Sequence, residues 1–82
     1  MPKIVAAAIK DPEGKVWSLP APARHENVIR LMCSKGARAL DSNEGFLTDE
    51  GVFVDRLKAA SIARAAGQVK RPVDVLASTD LW

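Results

Sequence analysis

The stretch EGFLTDEGVFVDRLKAASIARAAG, Glu44–Gly67, carries the fold. Phe46-Leu47-Thr48 and Val52-Phe53-Val54 are short β-prone runs, and they flank Asp49-Glu50-Gly51, a turn composition. Asp55 follows at once, and its carboxylate suits the cap of a helix. Arg56 to Ala66 is alanine-rich; Leu57, Ala60, Ile62 and Ala63 mark one face, and Gly67 closes the helix. The stretch therefore reads as a hairpin followed by a helix.

The same layout precedes it. Lys3 to Ile9 is a short apolar run, Asp11-Pro12-Glu13-Gly14 is a turn, and Lys15 to Leu19 resumes a strand pattern. Pro20-Ala-Pro22 then leads into a helix, with Pro22 suited to its first turn. Val28, Ile29, Leu31, Met32 and Cys33 recur at helical spacing, and Gly36 stands where a terminal glycine belongs. Ala37 to Glu44 reads as a loop. Gln68 to Val75 reads as a short extended segment, and Leu76 to Trp82 as a tail docked through Trp82. The expectation is an α+β fold in one small domain, residues 1–82, ordered ββαββα with a docked C-terminal tail.

Composition narrows the function. The chain has 82 residues, enough for one domain but few for a large core. Its apolar fraction leans on alanine, with only two Trp, two Phe and two Met. A protomer so short of large core residues is expected to complete its core or its site in an oligomer. A formal charge of +2, with basic residues spread along the chain, argues against DNA binding and leaves room for a small anion. One cysteine, Cys33, excludes an internal disulfide, and one His with one Cys makes no zinc site. No apolar run approaches membrane-spanning length and no leader is visible, so the reading is a cytosolic protein with no membrane contact.

Arg24 and His25 are the first chemical clue. They stand at the start of the first helix, where acidic residues are usual. A helix N-terminus with an arginine suits phosphate. The plainer reading pairs Arg24 with Glu26 or Asp55 and packs His25 as a neutral residue. Phe46 and Phe53 are each either core or a stacking surface for a planar base. Asp55 either caps its helix or accepts from a ribose hydroxyl while Arg56 meets a phosphate. Lys70-Arg71 is either a solvated pair or a basic closure over an anion. There is no nucleophile elbow, Cys–His dyad or glycine-rich phosphate loop, so the residues point away from an enzyme.

Taken in order, Ala7-Ala8-Ile9-Lys10, Ala23-Arg24-His25 with Val28-Ile29, Gly45-Phe46-Leu47-Thr48 and Gly51-Val52-Phe53-Val54-Asp55-Arg56 form a pattern. Ala59-Ala60, Ala65-Ala66-Gly67-Gln68 and the closing Asp80-Leu81-Trp82 extend it over most of the chain. The pattern resembles the phage Thoeris anti-defence sponge family of the first type. The resemblance implies a non-enzymatic α+β protein, without cofactor or metal, in the host bacterial cytoplasm. Such a protein binds and sequesters glycocyclic ADP-ribose, the signal made by TIR-domain enzymes, and so inhibits Thoeris immunity. It implies homo-dimers, or trimers of dimers (hexamers), and for some members a separate site for cyclic oligonucleotide signals.

Carried onto this chain, the resemblance makes Arg24 a phosphate contact with His25 beside it, and Phe46 a partner for adenine. Asp55 reaches the ligand with Arg56 in support, and Lys70 or Arg71 supplies a late basic contact. Two departures stand out: the chain is short for the family, and Asp55 occupies a place where an amide is frequent. The alternative is a small phage inhibitor that acts by protein–protein contact with a defence complex. Saturable binding of a small molecule would separate the two.

Overall fold

The computed structural model describes residues 2–37, 43–69 and 73–81. Its order is β1 (Ile4–Lys10), β2 (Val16–Pro20), α1 (His25–Ser34), β3 (Asn43–Thr48), β4 (Phe53–Asp55) and α2 (Arg56–Ala65). A single 3-10 turn, Ser78–Asp80, follows. The ββαββα expectation holds, and the four strands form one antiparallel sheet in the order β2-β1-β3-β4.

Alternation along the strands sorts the sheet into two faces. Ala7 and Ile9 of β1, Phe46 of β3 and Val54 of β4 point to the helices, which answer with Val28 and Met32 from α1 and Ala59, Ala60 and Ala63 from α2. Leu76 of the C-terminal segment joins this core and is fully buried. Alanines on α2 let its backbone sit close to the sheet, so little side-chain volume suffices. Ala6 and Ala8 point to the other face, outside that core cluster. No helix covers this second face among the described residues, and it carries Lys10, Asn43, Gly45, Leu47, Phe53 and Asp55.

Several boundaries differ from the sequence reading. α1 begins at His25, and Arg24 is its N-cap rather than part of its first turn. The side chain of Asn27 fixes that start by accepting from the Arg24 N–H at 2.8 Å. Pro22, which follows a cis peptide bond, lies ahead of the cap. β3 starts at Asn43, inside what reads as a loop, because Asn43 and Glu44 pair with Lys10 and Ile9. Gly36 and Gly67 take positive φ just past the two helices, as expected of terminal glycines.

No strand forms at Gln68 or Val69. Instead the Gln68 side-chain amide brackets Ile4, accepting from its N–H and donating to its carbonyl, both at 2.7 Å. One amide thus does the work of a strand pair at the end of β1. The tail expectation is met at Leu76; Trp82 lies outside the described residues.

The β1–β2 turn is built on Asp11, which is buried. Its Oδ1 accepts from Glu13 N and Lys15 N, and its Oδ2 accepts from Trp17 Nε1, all at 2.9 Å. These bonds, the Trp17 indole first, hold the Asp11 carboxyl below its ordinary value of 3.8. The folded state binds this proton less readily than the unfolded chain. Its stabilising effect is complete above pH 3.8 and is lost as the pH falls through the folded value. Acid titration of the unfolding midpoint is therefore expected to be steeper below that pH in the native protein than in Asp11→Asn. Equal slopes would remove the turn as an acid-sensitive element.

Candidate functional site

A cleft of about 560 Å³ opens at the end of the sheet where β1 finishes and β3 begins. Lys10, Asn43, Glu44, Phe53, Asp55 and Arg56 line it. The register explains the gathering: Lys10 lies opposite Asn43, and Asp55 opposite Gly45 two residues further along β3. Lys10, Asn43, Phe53 and Asp55 thus share the face that the helices leave uncovered.

Gly45 sets the shape of the cleft. A Cβ at this position would collide with the Val54 carbonyl oxygen and stand 2.6 Å from the Phe53 Cζ. The glycine therefore lets the Phe53 ring lie against the β3 backbone. Phe53 stays half-buried, with part of its ring presented to the cleft.

Asp55 does two jobs. Its Oδ1 caps α2 by accepting from Lys58 N at 2.7 Å, as the sequence suggests. Its Oδ2 has no partner among the described residues, so one acceptor remains at the cleft. Arg56 is the first residue of α2, where helix N–H groups and the macrodipole favour an anion. Its Nε donates to the Leu76 carbonyl at 3.0 Å, and Leu76 N donates to the Arg56 carbonyl at 3.0 Å. That pair pins the C-terminal segment to the start of α2 and fixes the Arg56 side chain through its Nε. With Lys10 and Glu44 also lining the cleft, two cations and two carboxylates surround one aromatic ring.

The other candidates sit differently. Phe46 has no exposed surface and belongs to the core on the helix side of the sheet. In the protomer it offers no face to a base; the aromatic ring at the cleft is that of Phe53, one strand over. His25 is also buried, 8 % exposed, with its ring edge-on to Phe46 at a centroid distance of 4.8 Å. Its Nε2 donates to the Gly45 carbonyl at 2.7 Å, and its Nδ1 lies 3.9 Å from the Glu44 carboxylate. His25 thus supports the floor of the cleft from behind, through β3. Arg24, beside it, is exposed at the start of α1. Lys70 and Arg71 lie outside the described residues.

Sequence reasoning gave Lys10, Asn43 and Glu44 no role. Lys10 closes an apolar strand, and its signal is a lone cation at the end of a run whose alternate residues face away from the core. Asn43 and Glu44 read as loop, because nothing local marks them as strand. Among the described residues, no group of His, Cys, Asp and Glu is arranged to hold a metal ion, and no helix is long and apolar enough to cross a membrane.

A family model described as phage T4 y16D protein covers residues 3–82. No curated protein and no solved structure matches the chain.

Proposed function

The chain belongs to the phage T4 y16D protein family, and from that premise we propose that it is a non-enzymatic phage anti-defence sponge. It binds and sequesters glycocyclic ADP-ribose in the host bacterial cytoplasm and so blunts Thoeris immunity. The observation that carries this reading is the cleft in which Phe53, Lys10, Asp55 and Arg56 converge. Its chemistry matches the parts of such a ligand. A half-buried ring suits the adenine, two cations and a helix N-terminus suit the phosphates, and an unpartnered carboxylate oxygen suits a ribose hydroxyl.

Sequestration asks only for affinity, and affinity comes from a preorganised pocket. The Asp55 cap, the Arg56–Leu76 pair and Gly45 under Phe53 each hold a cleft residue in place before any ligand arrives. The cleft is open on the protomer, so closure in a homo-oligomer completes the proposal: a second copy covers the uncovered sheet face and encloses the ligand.

Calorimetric titration with purified glycocyclic ADP-ribose tests this, followed by heating and mass analysis of the released compound. Saturable binding with intact release is expected. Lys10→Ala is expected to weaken binding by roughly 1.5–3 kcal/mol, the worth of one charged hydrogen bond, with the circular dichroism spectrum unchanged. Absence of binding would overturn the sponge reading, and altered product would replace it with a hydrolase. Unchanged affinity in Lys10→Ala would move the ligand away from this cleft.

A further inference from the structure

A second cavity, of about 440 Å³, lies between the β1–β2 turn and the C-terminal end of α1. Asp11, Glu13, Lys15 and Trp17 line one side, and Lys35 and Gly36 the other. The volume falls within the range of small-molecule sites, about 300–1,000 Å³.

The arrangement around Trp17 is more than a closed turn requires. Pro12 and Gly14 already favour the reversal. Burying a carboxylate is costly unless every oxygen is satisfied. Asp11 is 5 % exposed and commits one oxygen entirely to the Trp17 indole N–H. That bond fixes the plane of a half-buried ring at the cavity. Lys15 then places its ammonium 4.3 Å from the ring centroid, over the indole face. Neither Lys15 nor Lys35 has an ion-pair partner among the described residues, although Asp11 and Glu13 line the same cavity. Both Asp11 oxygens are taken by its own turn donors, so neither lysine's ammonium bonds it, and that of Lys15 acts on it only through its charge.

We propose that this cavity is a second ligand site, for a small planar anion: one heteroaromatic ring carrying a phosphate or a carboxylate. The ring lies on the Trp17 indole, and the anionic group sits between the Lys15 and Lys35 ammonium groups. Lys15 leaves the indole face for the anion, and the ligand ring takes its place. The site is independent of the Phe53 cleft, from which it differs in every lining residue.

Trp17 reports on its own site. The chain has two tryptophans, so Trp82→Phe leaves Trp17 as the sole emitter. In that background, AMP and nicotinate serve as phosphate and carboxylate probes, and adenosine as the uncharged control. Saturable quenching by AMP or nicotinate, with none by adenosine, is the expected result, and the stronger of the two identifies the anionic group. Lys15→Gln and Lys35→Gln are each expected to weaken it roughly tenfold, the effect of one charge-assisted hydrogen bond. Both residues are exposed, so the variants keep the fold. The proposal is overturned if neither anion quenches saturably, or if both lysine variants bind as tightly as the parent. It is equally overturned if Lys10→Gln alone abolishes the signal, which would place the probe in the Phe53 cleft.

Discussion

Phe46→Ala is expected to destabilise the protein by about 3–5 kcal/mol. Phe46 is fully buried at the centre of β3, between β1 and β4. Its ring packs among Ile9, Met32, Val54 and the alanines of α2, and it meets the edge of His25. Alanine would leave a cavity that these neighbours cannot close, because much of the core around it is already alanine and the sheet fixes the rest. Small domains have little stability in reserve, on the order of 5–15 kcal/mol at most. Much of the population would unfold near physiological temperature. Urea denaturation followed by circular dichroism measures the loss, and a cost below about 1 kcal/mol would mean that the core does not centre on this ring. The same measurement separates the two phenylalanines. Phe46 acts through stability, whereas Phe53 is half-buried at the cleft, where the proposed ligand would meet it.

That distinction shows where sequence reading runs out. Phe46 and Phe53 look alike in the chain: each stands in a short β-prone run beside a turn. Which of them faces the core depends on strand register, because a shift of one residue exchanges the faces. The pairing of Phe46 with Val54, and of Leu47 with Phe53, decides it, and no local pattern encodes that pairing. Asp55 was legible, since a carboxylate between a strand and an alanine-rich run is a strong capping signal, and the bond to Lys58 N bears it out. The helix ends were legible for the same local reason. His25 was legible as an oddity at a helix start and, in the plainer reading, as a packed residue, and its burial against Phe46 agrees with the latter. Its actual partner, the Gly45 carbonyl, is twenty residues away and belongs to the sheet. Lys10 was invisible because its importance comes from Asn43 across the ladder. The fold follows from short-range punctuation by Pro, Gly and Asp. The cleft follows from long-range register, which that punctuation does not specify.

Gly45→Ala tests the link between register and cleft, and it is expected to cost about 1–3 kcal/mol in stability while abolishing measurable ligand binding. The added methyl group meets two obstacles of different kinds. The Phe53 ring is a side chain and moves aside, which removes the aromatic wall from the cleft. The Val54 carbonyl oxygen is backbone on the paired strand, so relief there means separating β3 from β4 at the point where Asp55 begins the cap of α2. Combining Gly45→Ala with Phe53→Ala tells the two apart. If the ring is the main obstacle, the double variant is more stable than the sum of the single losses implies, with a coupling of about 0.5–3 kcal/mol. If the carbonyl dominates, the losses add, and hydrogen exchange at the β4 amides rises in both variants that carry the added methyl group. A Gly45→Ala protein with native stability and native affinity would contradict the close approach of Phe53 to β3, and with it the aromatic wall on which the nucleotide reading rests.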